Sequence, residues 1–381
     1  MSLRYFATNR DRENLGHLMK RDERIALQRG GYHVLDMEAY MSHYLAEVDS
    51  KKMPVGVVVK NSNKVLWEDY LGHSSITQVV VCVHGFNVDL HEAQTWFGIL
   101  TDSLREVPGL KNRIVTDPLE QDRELLENGE DLIAFVGFSW PSNGNVLSYP
   151  SDQREAIAST GPLANLIARI NGLDPQPKVS LICHSMGNFL ACNMFKQLLS
   201  DEIAPVLNQP SVTQGSETGR DYPDKDNHNF VDRYIMLAAD VERRHVTKCV
   251  AKIVDDPEDE EATYLGPFYS GLEHLCGEVH NFYSRFDGAL AISNVEKAPR
   301  KGLEAAKGLA NSLTLGMLDF LERNPDHRWE QRLGATQHPM MSPPNMISHN
   351  AVQISNREID HSDYVDSAPI ADKIGEILAK G

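Results

Sequence analysis

One chain order brings together residue types that can do nucleophilic chemistry: a serine at 185, carboxylates at 240 and 287, and a histidine at 361. A serine hydroxyl attacks a carbonyl once a base takes its proton, and a carboxylate must orient that base and support its charge. Ser185 lies in SLICHSMGNFLACNMF (180–195), where an apolar run meets His184-Ser185-Met186-Gly187 and small apolar residues follow. That pattern reads as a strand, a sharp turn and a helix, with the serine at the apex and its hydroxyl pushed out over the sheet edge into solvent. The usual form is G-x-S-x-G, and here Cys183 replaces the first glycine. The position asks for small volume. A compact apolar cysteine meets that demand, and Gly187 meets it with no side chain at all.

An oxyanion intermediate needs two backbone N–H donors. Met186, directly after the serine, supplies one. Phe86, in VCVHGFNVDL after an earlier strand, supplies the other, with Gly85 letting the loop turn its amides inward. The acid is expected at the end of a later strand. Asp287 in FYSRFDGAL is preferred over Asp240 in MLAAD, which ends the strand next after the serine. His361 in REIDHSDYVDS falls between the last strand and the last helix, and is preferred over His327, His338 and His349. His184 is read as packing beside the turn and His84 as bracing its own. Asn188 holds the turn or caps the helix. Trp140 either walls an acyl pocket or is ordinary packing.

These residues need a scaffold of strands ending on one edge. The runs MPVGVVVK and KVLWE read as a hairpin. QVVVCVHGF (78–86), DLIAFVGFSW (131–140), KVSLICHS (178–185), RYIMLAAD (233–240), VHNFYSRFD (279–287) and AVQIS (351–355) read as further strands, mostly continuous in apolar character. Helical patterns alternate with them, including 151–171 and a last helix capped by Asp366 or Ser367, with Pro369 in its first turn and Ile370, Ile374, Ile377 and Leu378 on one face. The expectation is an α/β fold: a mostly parallel eight-stranded sheet covered by helices on both faces. The chain reads as one domain over 1–381, with 241–278 and 290–348 as insertions or a cap. Residues 206–230 read as a mobile loop. The Ala/Leu-rich segment 295–323 reads as a cap helix in preference to a membrane-surface helix.

Composition narrows the function. The chain has 381 residues, 41% of them apolar, enough for a large core. Its formal net charge is −17 and its basic residues are scattered, which argues against a nucleic-acid partner. The N-terminus has no apolar leader, and no stretch is long enough to span a bilayer. Five cysteines without C-x-x-C spacing suit a reducing, cytoplasmic setting. The acidic run 255–261 fits no calcium loop and reads as a solvated turn, so no metal is expected. With no phosphate-binding glycine motif, no cofactor is expected either. The partner is a small-molecule ester, and pattern alone leaves the oligomeric state open.

RYFATNR, VVVCVHGFN, VGFSWPSNG, SLICHSMGNFL, MLAADVE, FYSRFDGALAIS and DHSDY together resemble the α/β-hydrolase superfamily, and within it a bacterial esterase/lipase-like group of unknown function. The resemblance runs from residue 4 to 364. It implies the α/β-hydrolase fold and ester hydrolysis, and in that group a small residue commonly precedes H-S-M-G-N, which makes Cys183 a small-for-small exchange. Ester cleavage through an acyl-enzyme, using Ser185, Asp287 and His361, is the leading reading. Acyl transfer or thioester cleavage by the same residues, and a non-catalytic binding protein of this fold, are the alternatives.

Overall fold

The computed structural model describes residues 3–10, 31–38, 64–142, 149–200, 202, 229–251, 262–290, 332–339 and 341–380. In chain order the strands are β1 (Tyr5–Thr8), β2 (His33–Asp36), β3 (Ile76–Val83), β4 (Ile114–Val115), β5 (Leu132–Ser139), β6 (Lys178–His184) and β7 (Val231–Leu237). There follow β8 (Lys248–Ala251) and β9 (Ala262–Leu265), an antiparallel pair outside the main sheet, then β10 (Cys276–Tyr283) and β11 (Met346–Asn350). The main sheet runs β11-β10-β7-β6-β3-β5-β1-β2, with β4 beside the start of β5. Its pairs are parallel except β1 with β2. This is the α/β-hydrolase fold. Parallel strands bring the ends of β3, β5, β6, β7 and β10 to one edge, where the candidate residues lie.

The helices are α1 (Leu90–Arg105), α2 (Arg123–Asn128), α3 (Tyr149–Ala158), α4 (Thr160–Asn171), α5 (Met186–Leu199), α6 (Tyr269–Leu275), α7 (Ala351–Ser355) and α8 (Ala368–Ala379). Alternate residues of β3 feed two cores, since successive side chains of a strand point to opposite faces. Val79, Val81 and Val83 pack with Leu163, Ile167, Leu190 and Leu272 of α4, α5 and α6. Val80 and Cys82 pack with Leu90 and Phe97 of α1 and with Ile370 and Ile374 of α8. Helices therefore cover both faces.

The described sheet has nine strands where the sequence suggested eight, and the membership differs. KVLWE is no hairpin arm: Val65–Tyr70 forms a π-helix burying Leu66, Trp67 and Tyr70, a helical spacing that a five-residue window cannot show. Its supposed partner strand at 53–60 lies outside the described residues. AVQIS is helix α7, because the Asn350 side chain accepts from the Val352 and Gln353 amides and starts a turn there. The strand is the preceding MISHN. The helix expected over 151–171 is two, α3 and α4, parting at Ser159, whose hydroxyl bonds back to Glu155 O at 2.7 Å. Ser367 is the first residue before α8, yet its hydroxyl pairs with that of Ser355 instead of capping. The presumed insertions 241–278 and 290–348 each end inside a strand of the sheet, β10 and β11. The supposed cap helix at 295–323, the acidic run 255–261, His327 and all but the last residues of the loop 206–230 lie outside the described residues. Among the described residues no helix is long and apolar enough to cross a membrane.

Candidate active site

β6 runs straight into α5 through one residue, Ser185, whose backbone sits at φ 51° and ψ −123°. A non-glycine residue with positive φ is strained by about 1–3 kcal/mol and persists only where its surroundings over-determine it. Those surroundings are hydrogen bonds. Ser185 N donates to Leu237 O at 3.0 Å, and Ser185 O accepts from the amides of Asn188 and Asp240 at 3.0 and 3.2 Å. The buried Asn188 amide group donates to Cys183 O, Ser185 O and Leu237 O, and its Oδ1 accepts from Tyr234 at 2.9 Å. Asn188 thus ties both sides of the turn to β7. Tyr234, on β7, was not singled out by the sequence. Cys183 is fully buried, with burial pushing its thiol pKa well up.

The serine differs from expectation in one respect. The residue is only 6% exposed, so it is nearly buried and does not stand in open solvent. The loop of His84, Gly85 and Phe86 closes over it. A Cβ added to Gly85 would lie 2.8 Å from Ser185 Cβ, and one added to Gly187 would lie 2.6 Å from His84 O. Both glycines are therefore needed for close approach of loop to turn.

His361 meets Asp287 side on, with Nδ1 2.9 Å from each carboxylate oxygen. Asp287 does not end its strand: β10 stops at Tyr283, and the acid stands four residues further on in a loop. That loop and the histidine's are stitched together. Ser284 Oγ donates to Ile359 O at 2.5 Å, and Asp360 Oδ1 accepts from the amides of Gly288 and His361 at 3.2 and 2.8 Å. Burial pulls the His361 pKa down, but the charge and hydrogen bond of Asp287 outweigh it, and the net shift is upward. Burial pushes the Asp287 carboxyl up, against the opposing pull of His361. Because Nδ1–H donates to Asp287, the neutral ring carries its lone pair on Nε2.

His184 connects this pair to the serine. Its Nε2–H donates to His361 O at 2.8 Å, and its ring lies 4.6 Å from that of His361 and 4.7 Å from Trp96. Burial, followed by the nearby His361, lowers its pKa to about 3, so it stays neutral. The histidine loop is in this way anchored on the residue before Ser185. Among the described residues none is hydrogen-bonded to Ser185 Oγ. Such contacts are often loose without substrate and tighten when it binds.

Met186 opens α5, where the first amides have no partner within the helix and the helix dipole is positive. Phe86 follows Gly85 on the opposing loop and is half-buried. His84 braces that loop, its Nδ1–H donating to Gly85 O at 2.9 Å. Trp140 is fully buried behind it, stacked on His84 with centroids 5.5 Å apart and donating its indole N–H to His84 O at 2.9 Å. Its position is that of a brace and not of a wall facing a ligand. Asp240 pairs with Arg332, Oδ1 to Nε 3.0 Å, and Arg332 also lies 3.5 Å from Glu242. This buried cluster pins the segment that follows residue 331 against the end of β7. No pattern in the sequence announced Arg332. His338 bonds Ser348 and His349 bonds His280, both away from Ser185's hydrogen-bonded surroundings. Glu38, Asp117 and Glu120 alone among the described residues group closely enough for a metal ion, but Arg4 already lies 2.9 and 2.8 Å from the first two.

A family model described as "Alpha/beta hydrolase of unknown function (DUF900)" matches residues 59–308. An uncharacterized protein of Nostoc sp. (strain PCC 7120) is 43% identical over 382 residues, covering 100% of this chain and 94% of that protein. A Pyrobaculum calidifontis esterase in its monoclinic form aligns over 80% of this chain and 77% of that chain, with 9% identity and a TM-score of 0.32. That last likeness is too slight to bear on the site.

Proposed function

The chain belongs to the family of α/β hydrolases of unknown function (DUF900), and we propose that it is a serine hydrolase cleaving carboxylic esters through an acyl-enzyme. The observation that carries this reading is the Asp287–His361 pair, two contacts of 2.9 Å, fastened through His184 to a strained serine turn.

His361 Nε2 takes the Ser185 proton as Oγ forms a bond to the ester carbonyl carbon. The carbonyl oxygen becomes an oxyanion facing the amides of Met186 and Phe86. The intermediate collapses with cleavage of the carbon–alkoxy bond, and the alkoxy oxygen leaves with the proton from His361. Water then attacks the acyl-enzyme, giving its proton to His361. Collapse returns that proton to Ser185 Oγ and releases the acid. Asp287 holds the ring's tautomer and stabilises the imidazolium without taking the proton itself.

The test is labelling by a fluorophosphonate, located by mass spectrometry, alongside turnover of p-nitrophenyl esters. A single adduct on Ser185 is expected. Ser185→Ala should lose on the order of 10⁴–10⁶ in kcat and remain folded, since its hydroxyl makes no hydrogen bond among the described residues. A variant keeping a tenth of the wild-type rate sinks the reading.

A further inference from the structure

We infer that Arg10 is a positioning residue of the oxyanion loop, acting from just beyond β1, 74 positions upstream of His84; the inference rests on the serine-hydrolase reading above. Arg10 is fully buried. It follows β1, which runs parallel to β5, so that β1 delivers its C-terminal end to the same sheet edge as β5 and β3. Thr8 fixes the exit: its hydroxyl donates to Ser139 O at 2.6 Å and accepts from the Arg10 amide at 3.0 Å.

From there the guanidinium reaches both ends of the loop. Nη2 donates to Val88 O at 2.7 Å and lies 3.4 Å from His84 Nε2. Nε donates to Ser139 Oγ at 2.8 Å, and that hydroxyl is 3.0 Å from the same His84 nitrogen. The Trp140 amide also donates to His84 Nε2, at 3.2 Å. A guanidinium offers donors alone, so His84 Nε2 must accept, and its Nδ1–H is thereby directed to Gly85 O. Burial and the facing Arg10 charge keep this imidazole neutral, consistent with that tautomer. One side chain thus braces where the loop leaves β3 and where it enters α1, and joins the Trp140 amide in setting the tautomer that locks Gly85. Between these fixed points lies Phe86, and Gly85 packs against Ser185.

A buried guanidinium is costly unless its donors are well used. Here they are used on the placement of a loop whose error is read directly in rate, because a displacement of about 1 Å at a reacting centre costs on the order of 10²-fold. The effect should appear where the oxyanion forms, leaving substrate binding and the Asp287–His361 pair unaffected.

The experiment compares Arg10→Met, which keeps the stem without donors, and Arg10→Lys, which keeps the charge without the fork, with wild type well below each melting temperature. The expected result is a fall in kcat of about 10–100-fold for Arg10→Met with KM within threefold, and a smaller fall for Arg10→Lys. The fluorophosphonate labelling rate should drop in parallel, while the pH at which kcat/KM inflects stays put. If Arg10→Met does not fold, Arg10→Lys carries the comparison. Wild-type labelling and turnover in the folded variant, or a loss shared equally by KM and kcat, overturns the inference while the serine-hydrolase reading stands. A wild type that takes no label at Ser185 overturns both.

Discussion

Exchanging Asp287 for asparagine is the substitution that separates mechanism from architecture most cleanly. The side chain is fully buried, and its two oxygens each lie 2.9 Å from His361 Nδ1, while Oδ1 also accepts from the Leu290 amide at 3.2 Å. Asparagine has the same shape and can keep the Leu290 bond, so the loop should survive. What is lost is the charge that supports an imidazolium and the pure acceptor that fixes the tautomer, together about 10⁴ in kcat. The pH profile should change as well. His361 must be neutral to act as a base, and Asp287 is what holds its pKa above the ordinary 6.5. In wild type, kcat/KM should therefore rise with pH through an inflexion above 6.5; in Asp287→Asn burial prevails and the inflexion moves down. The contrast is Asp240→Asn. Its partner Arg332 is equally buried but keeps Glu242 at 3.5 Å, so breaking the pair costs at most about 3–5 kcal/mol, which at about 2.1 cal/mol/K of unfolding entropy per residue lowers the melting temperature by at most about 4–6 °C. Steady-state kinetics with a p-nitrophenyl ester across pH, beside calorimetry, reads both. An Asp287→Asn enzyme retaining a tenth of the activity, or Asp240→Asn losing activity at an unchanged melting temperature, refutes the assignment of the acid.

Three further outcomes follow from the same geometry. His184, with its pKa near 3, should add no second ionisation to the kcat/KM profile between pH 4 and the inflexion of His361; a second one would mean that His184 titrates in the working range. By the same sign, the protonated His361 stabilises the fold fully below pH 6.5 and loses that contribution as pH climbs through its raised folded value, which urea titrations at pH 5.5 and 9 should detect. Cys183→Ala should keep activity within a few-fold, whereas Cys183→Leu should overpack the turn at about 1–3 kcal/mol and depress kcat. Inactivation of the wild type by a thiol reagent that spares Cys183→Ala would contradict an inert, buried thiol.

The residues that touch one another locally could be read from the chain. A strand, Ser185, Gly187 and an apolar helix follow in sequence, and steric crowding at one turn dictates their sizes; Cys183 is legible because volume is a local demand. Continuous apolar runs such as QVVVCVHGF show burial on both faces, and that sets a parallel sheet. Short or partnered elements could not be read so directly. KVLWE and AVQIS carry strand-like residue types, but the π-helix is favoured by the burial of Leu66, Trp67 and Tyr70, and α7 by the cap of Asn350. The N-terminal β1 and β2 carry short four-residue patterns and gain their meaning from pairing with β5 and each other. Strand order favoured Asp287 over Asp240, but the contacts of each carboxylate were beyond spacing. They turn on which distant partner reaches each carboxylate: His361 closes on the first across 74 positions, and Arg332 neutralises the second across 92. Electrostatic pairing of residues so far apart is fixed by where the chain returns in space, and that also holds for Arg10 beneath the loop of His84.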